Sequence, residues 1–279
     1  MPKQLAVILG MHRSGTSLIT KSMELVGYEL GDNLMPERED NPKGFFEDVD
    51  YVELNDDLLR ASSSTWEIPQ LSTASRDIDD KKLIKRADKF LKGKFKGRQK
   101  LALKDPRACL LLPFWQKRFE ACGIEVRYIV VHRDPVEVAA SLARRNGFSL
   151  RHGLLLDYLY SREIMSFAGA DAFVINYAAF MRDPTDQISR LAGYLGESID
   201  EAAVTAFADE FVDSSLWHHK ADAAKADDMF PELAALSGLM YARAEDQAIE
   251  LAEYFNQHPV SLALEHELLG IEVTRLVEL

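Results

Sequence analysis

The residues with the clearest chemical use are Gly10-Met11-His12-Arg13-Ser14-Gly15-Thr16-Ser17. They follow an apolar run, Leu5–Leu9, and precede Leu18, Ser22, Leu25 and Val26, spaced i, i+4, i+7, i+8, with Gly27 as a stop. An apolar strand, a glycine-bounded loop and a helix point backbone N–H groups and the positive end of a helix dipole at a phosphate-like anion. A loop built for a metal-bound triphosphate carries Lys after its second glycine, to reach the β- and γ-phosphates, and then a Ser or Thr for Mg²⁺. Here Thr16 stands where that lysine would be, and the cation, Arg13, lies inside the loop. Such a loop suits a nucleotide whose reacting group ends a shorter 5′ chain.

A second constellation is Arg133-Asp134-Pro135, with Ser141 eight residues beyond the arginine. A planar fork of donors plus a hydroxyl suits a phosphate monoester. The competing reading is an ion pair of Arg133 with Asp134 or Glu137 and a surface serine.

Elements must bring these groups together. Leu5–Leu9, Leu101–Leu103, Val126–Val131 and Phe173–Ile175 read as buried strands. Helical stripes follow the first and third, the latter through Val136, Ala139, Leu142 and Ala143, with Asp134 as N-cap and Pro135 at the first helical position. Alternating strands and helices imply an α/β fold, three layers in α/β/α order around a central parallel sheet, like that of nucleotide-hydrolysing phosphate-loop proteins with added helices. Ligands then bind beyond the carboxyl ends of the strands, in the loops after Leu9, Leu103, Val131 and Ile175. Segments 28–99 and 145–170 read as less regular and are expected to build the acceptor side. Leu233, Leu236, Met240, Ala244, Ala248, Leu251 and Phe255 form a further amphipathic stripe, and residues 256–279 a tail for core packing or a dimer contact. A single domain is expected, with a core over about 1–220 and a helical region over about 221–279.

Composition bounds the class. The 279 residues are 47% hydrophobic and 28% charged, as in ordinary globular chains. The net charge of −12 disfavours a nucleic-acid binder, because counterion release needs a basic surface. Residues 81–100 are the exception, with ten lysines and arginines against one acid, Asp88. They read as a solvated helix face or as a docking patch for an acidic partner or anionic substrate. Apolar runs fall short of a membrane span, and His12-Arg13 interrupts any leader-like start. Cys109 and Cys122 read as reduced core thiols of a cytoplasmic protein.

Gly10–Ser17 closely resembles the 5′-phosphosulfate loop of sulfotransferases that use 3′-phosphoadenosine 5′-phosphosulfate (PAPS), particularly bacterial members. Asn41–Glu47, Leu103–Arg107, Val131–Ser141 and Gln187–Gly196 resemble segments of the same family, in the same order. The resemblance implies transfer of a sulfuryl group from PAPS to an acceptor hydroxyl, or an amine, with no required metal. It assigns Gly10, His12, Arg13, Ser14, Gly15, Thr16 and Ser17 to the 5′ end of the nucleotide, and Arg133 and Ser141 to its 3′-phosphate. Lys220, with His219, is a looser candidate for that phosphate, because Leu216–Lys220 departs from the family's arginine-lysine-glycine form.

Sulfuryl transfer needs cations at the bridging oxygen and a base at the acceptor. Arg13 and Lys104 are the cation candidates, with His12 assisting. Many family members place a base two residues after the strand-end lysine, but Pro106 stands there. Glu47 is the favoured base, since Gly44–Glu47 matches a place where other members bear a catalytic glutamate and Phe45 and Phe46 would desolvate it. Asp48, Asp105 and Arg107 compete as base or as loop braces, and Trp66 reads as acceptor-pocket wall or core. The alternatives are a phosphate-loop kinase or NTPase, with Asp105 holding Mg²⁺, and a non-catalytic nucleotide-binding protein.

Overall fold

A computed structural model describes residues 2–38, 41, 43–69, 78–169 and 171–212. Four strands, β1 (Lys3–Leu9), β2 (Lys100–Lys104), β3 (Ile124–His132) and β4 (Phe173–Asn176), form one parallel sheet in the order β2-β1-β3-β4. Each contains one of the four apolar runs. The register aligns Ile8 with Lys104 and Ile129, and His132 with Asn176.

Because side chains alternate along a strand, each strand feeds two cores. Leu5, Val7 and Leu9 of β1 enter one core with Leu101, Leu103 and Val130. Ala6 and Ile8 enter the other with Ala102, Ile129, Val131 and Ile175. The first face is covered by α2 (Val49–Ala61), α3 (Lys81–Lys94), α4 (Leu112–Ala121), α5 (Pro135–Asn146) and α6 (Leu150–Phe167). The second is covered by α1 (Thr16–Ser22), α7 (Tyr177–Arg182), α8 (Pro184–Leu195) and α9 (Glu201–Phe211). The three-layer α/β/α architecture is therefore as expected.

Several expectations need correction. The α-helix after the loop stops at Ser22 and continues as a 3₁₀ turn, Met23–Val26, before Gly27; Ile19, Met23 and Val26 carry its core face, while Leu18 and Leu25 are only partly buried. Segments 28–99 and 145–170 are only partly irregular: they hold α2, α3 and α6, while the described residues of 28–48 and 62–80 lie outside helices and sheet strands. Cys109 is a buried free thiol, but Cys122 is half-buried beside Asp88 and is not a core residue.

The basic stretch is partly consumed within the chain. Lys94 is buried against Asp48 at 2.6 Å and Asp32 at 3.1 Å, Arg98 pairs with Glu29 and Asp32, Arg86 with Asp57, and Lys100 with Glu197. Lys81, Lys82, Lys85, Lys89, Lys92 and Lys96 are exposed. The stripe at 233–255, the tail and Leu216–Lys220, with Trp217, His219 and Lys220, lie outside the described residues. Among the described residues, no helix is long and apolar enough to cross a membrane.

Candidate functional site

The chain leaves β1 toward β2 on one side and leaves β3 toward β4 on the other. The crevice between the ends of β1 and β3 is thus the switch point at which open α/β sheets bind ligands. A cavity of about 560 Å³ lies there.

The 10–17 loop forms one wall. A Cβ on Gly10 would sit 2.8 Å from the Val131 carbonyl oxygen, so a side chain there would push the loop off β3. Gly15 is in the left-handed region, φ 94°, and a Cβ on it would fall 2.2 Å from the Tyr177 ring. Arg13 is also left-handed, φ 72°, a conformation that costs a non-glycine residue about 1–3 kcal/mol and that is typically retained at functional sites. No side chain caps α1, whereas Asp48, Asp134 and Asn176 cap α2, α5 and α7. The Ser14 hydroxyl is buried with no hydrogen-bond partner. An anion in the loop would satisfy these donors.

The Arg133 region meets the loop directly. Arg13 Nε donates to Ser141 Oγ at 3.0 Å, and Arg133 Nη1 donates to the Arg13 carbonyl at 3.1 Å. Arg133 also pairs with Glu137 at 2.8 Å, the ion pair the sequence allowed for, but Ser141 is buried on α5 rather than a surface serine. Asp134 caps α5 as expected, accepting from Val136 N and Glu137 N.

Glu47 and Lys104 are buried together, with Nζ 2.5 Å from Oε1. Lys104 Nζ also donates to Ser17 Oγ at 3.2 Å and to the Phe45 carbonyl at 3.1 Å. Asn41 Nδ2 donates to the Gly44 carbonyl at 2.7 Å and approaches Ser17 Oγ at 3.4 Å, which clips the 41–47 segment onto α1. Burial pushes the Glu47 carboxyl up, with the Lys104 ammonium opposing it. The pair lines the cavity, so Glu47 is in the cleft although it is ion-paired.

His12 is buried, with its ring 4.4 Å from Trp66 and 6.1 Å from Tyr160, and its Nε2 has no partner. Burial, then the charges of Arg107, Arg145, Lys104 and Arg13, hold its pKa well below the usual histidine value. It is a neutral imidazole at pH 7. Trp66 satisfies both of its readings, lining the cavity while packing on the core.

The competing carboxylates are occupied. Asp105 accepts from Asn55 at 2.8 Å and from Arg107 at 3.0 Å, so it braces the loop after β2 and does not line the cavity. Asp48 caps α2 and pairs with Lys94.

Tyr177 is a site residue that motif reading missed. Its ring covers Gly15 and carries the Arg133 guanidinium 4.8 Å from its centroid. Its position just past Ile175, at the carboxyl end of β4, was the available signal.

No family model and no curated protein matches the chain. Among solved structures, it is similar to the sulfotransferase domain of the Synechococcus PCC 7002 olefin synthase, at 20% identity and TM-score 0.48, over 86% of this chain and 95% of that one. It is also similar to sulfotransferase STF1 from Mycobacterium tuberculosis H37Rv, at 13% identity and TM-score 0.41, over 82% of this chain and 76% of that one.

Proposed function

We propose that the protein is a cytoplasmic sulfotransferase that moves a sulfuryl group from PAPS to an acceptor hydroxyl or amine without a metal. The observation that carries the reading is the joining of two anion-binding groups in one cavity: the 10–17 loop and Arg133/Ser141, linked by the 3.0 Å contact of Arg13 with Ser141. An adenosine nucleotide with phosphates at both 5′ and 3′ ends has matching chemistry. A triphosphate with Mg²⁺ fits less well, because Thr16 replaces the loop lysine and Asp105 is held by Asn55 and Arg107.

In this reading the loop N–H groups, Ser14 and Arg13 hold the 5′-phosphosulfate, with Arg13 a second cation near the bridging oxygen, while Arg133 and Ser141 hold the 3′-phosphate. The bond from sulfur to the bridging oxygen breaks as the acceptor oxygen bonds to sulfur, and adenosine 3′,5′-bisphosphate leaves. Lys104, on Ser17 and Glu47, stabilises the charge growing on the bridging oxygen. Glu47 takes the acceptor proton, which neutralises its carboxylate and leaves the Lys104 ammonium uncompensated beside the negative charge growing on the leaving nucleotide. His12, neutral and lining the same cavity with Nε2 unpartnered, donates an N–H to the oxygen of the incoming hydroxyl while Glu47 accepts its proton.

Thermal titration tests the donor. Adenosine 3′,5′-bisphosphate should raise stability by RT ln(1 + [L]/Kd), about 2.7 kcal/mol at a hundredfold excess over Kd. Arg133→Ala should weaken that binding roughly 10- to 150-fold, the scale of a lost charge-assisted hydrogen bond. A shift with Mg-ATP and none with the bisphosphate would reject the reading.

A further inference from the structure

Arg133 can recognise a phosphate only if its fork of donors is aimed, since the side chain is long and rich in rotamers. Its backbone is fixed, because the residue lies between the end of β3 at His132 and the N-cap of α5 at Asp134. Its guanidinium is fixed by three further contacts. Glu137 Oε2 accepts from Nε at 2.8 Å, the Arg13 carbonyl accepts from Nη1 at 3.1 Å, and the guanidinium carbon lies over the Tyr177 ring, 4.8 Å from its centroid. Among the described residues no hydrogen bond uses Nη2, and Arg133 lines the cavity.

The placement of Glu137 is costly unless it serves Arg133. Glu137 is the third residue of α5, where the helix dipole favours an acid even in water, so the helix does not need the carboxylate buried. Its side chain is nevertheless only 9% exposed and turned to Arg133. Burying an ion pair is a poor way to stabilise a fold. Glu137 does not line the cavity itself, yet it holds a negative charge one residue contact away from a site built for anions, where it repels what binds. Orienting the guanidinium is the service that offsets this repulsion.

We infer that Glu137 is a positioning residue for the donor: without touching the nucleotide, its carboxylate takes Arg133 Nε and so turns the Nη edge toward the 3′-phosphate, which makes Glu137 a determinant of selectivity for a 3′-phosphorylated nucleotide. The inference rests on the PAPS reading and deepens its donor half. The expected sign is opposite to that of charge alone. Removing a negative charge beside an anion site strengthens anion binding by simple electrostatics. Removing the group that aims the fork weakens it, because each phosphate must then order a swivelling guanidinium again.

Calorimetric titration of the full-length protein with adenosine 3′,5′-bisphosphate and with adenosine 5′-phosphate gives the ratio of the two Kd values, which reports the 3′-phosphate alone. In the parent protein the bisphosphate should bind roughly 10- to 150-fold tighter, the scale of a charge-assisted hydrogen bond. Glu137→Ala should cut that ratio roughly 3- to 12-fold, the scale of ordering one rotamer-rich side chain. Kd for adenosine 5′-phosphate should move by less than about twofold, whereas a merely structural loss would weaken both nucleotides alike. Glu137→Met, which keeps the stem's bulk but offers Nε no acceptor, should do the same, and it carries the test if the alanine protein does not fold. Glu137→Gln, whose amide oxygen still accepts from Nε, should keep most of the ratio. A ratio unchanged or larger in Glu137→Ala and Glu137→Met, a glutamine protein as poor as those two, or an equal weakening of both nucleotides overturns the inference. A parent protein that binds neither nucleotide, or both alike, rejects the donor reading instead, and the inference falls with it.

Discussion

Gly15→Ala should be costly for two separable reasons. At φ 94° an alanine pays about 1–2 kcal/mol for the left-handed backbone. Its Cβ would also stand 2.2 and 2.4 Å from Cδ2 and Cε2 of Tyr177, far inside contact distance, and overpacking of this kind costs about 1–3 kcal/mol. The single variant should therefore lose roughly 2–5 kcal/mol. Tyr177→Ala should lose about 3–5 kcal/mol, because it empties a buried ring site. The double variant removes the clash but keeps the backbone strain, so it should be about 1–3 kcal/mol more stable than the sum of the singles requires. Urea unfolding of the four proteins, fitted with a common m-value, measures this. Additivity within about 0.5 kcal/mol would show that the ring does not press on the loop, and the account of Tyr177 as its cover would be wrong.

Glu47→Gln should leave bisphosphate affinity within about threefold and slow sulfuryl transfer by roughly 10²–10⁴, the worth of a positioned base. In the parent protein the rate should climb with pH through the raised Glu47 pKa, and this limb should vanish in the variant. Lost donor binding at normal turnover would reverse the assignment. Asp157, buried in α6, has its pKa pushed up to about 8, against about 3.9 in an unfolded chain. The native state then holds a proton that the unfolded state has released, so this group's contribution falls as pH rises from about 4 to 8. Buried His132, lowered to about 4, works oppositely, with stability lost as pH falls from about 6.5 to 4. Between those values the two offset, and above pH 6.5 the Asp157 decline stands alone, at roughly 2 kcal/mol by pH 8. Denaturant melts of Asp157→Asn should lose that decline; a slope that persists in the variant assigns it to another group.

Some of this architecture is legible along the chain because the information is local. Leu5–Leu9 and Ile129–Val131 are continuous apolar runs because the strand segments buried on both faces have no polar side to alternate with. Asp134-Pro135 marks a helix start because cap and first turn lie within three residues. Helix α6 was hidden for the opposite reason. Leu154, Leu155, Leu156, Tyr158, Leu159 and Tyr160 are all buried, so the helix has no polar stripe and shows no 3.6-residue period.

The site divides in the same way. The 10–17 loop is read from eight consecutive residues. The Glu47–Lys104 pair spans 57 positions, and only the sheet and the Asn41 clip bring its members together. Tyr177 acts by shape, covering one residue and stacking on another, and a spacing pattern cannot encode that.

The most direct measurement is a crystal structure with adenosine 3′,5′-bisphosphate bound. The account expects the 5′-phosphate on the 10–17 loop, within hydrogen-bond reach of Ser14 Oγ and Lys104, and the 3′-phosphate on Arg133 and Ser141, displacing the Arg13–Ser141 contact or sharing it. A nucleotide lying elsewhere, with that contact and the Arg133–Glu137 pair intact, would contradict it.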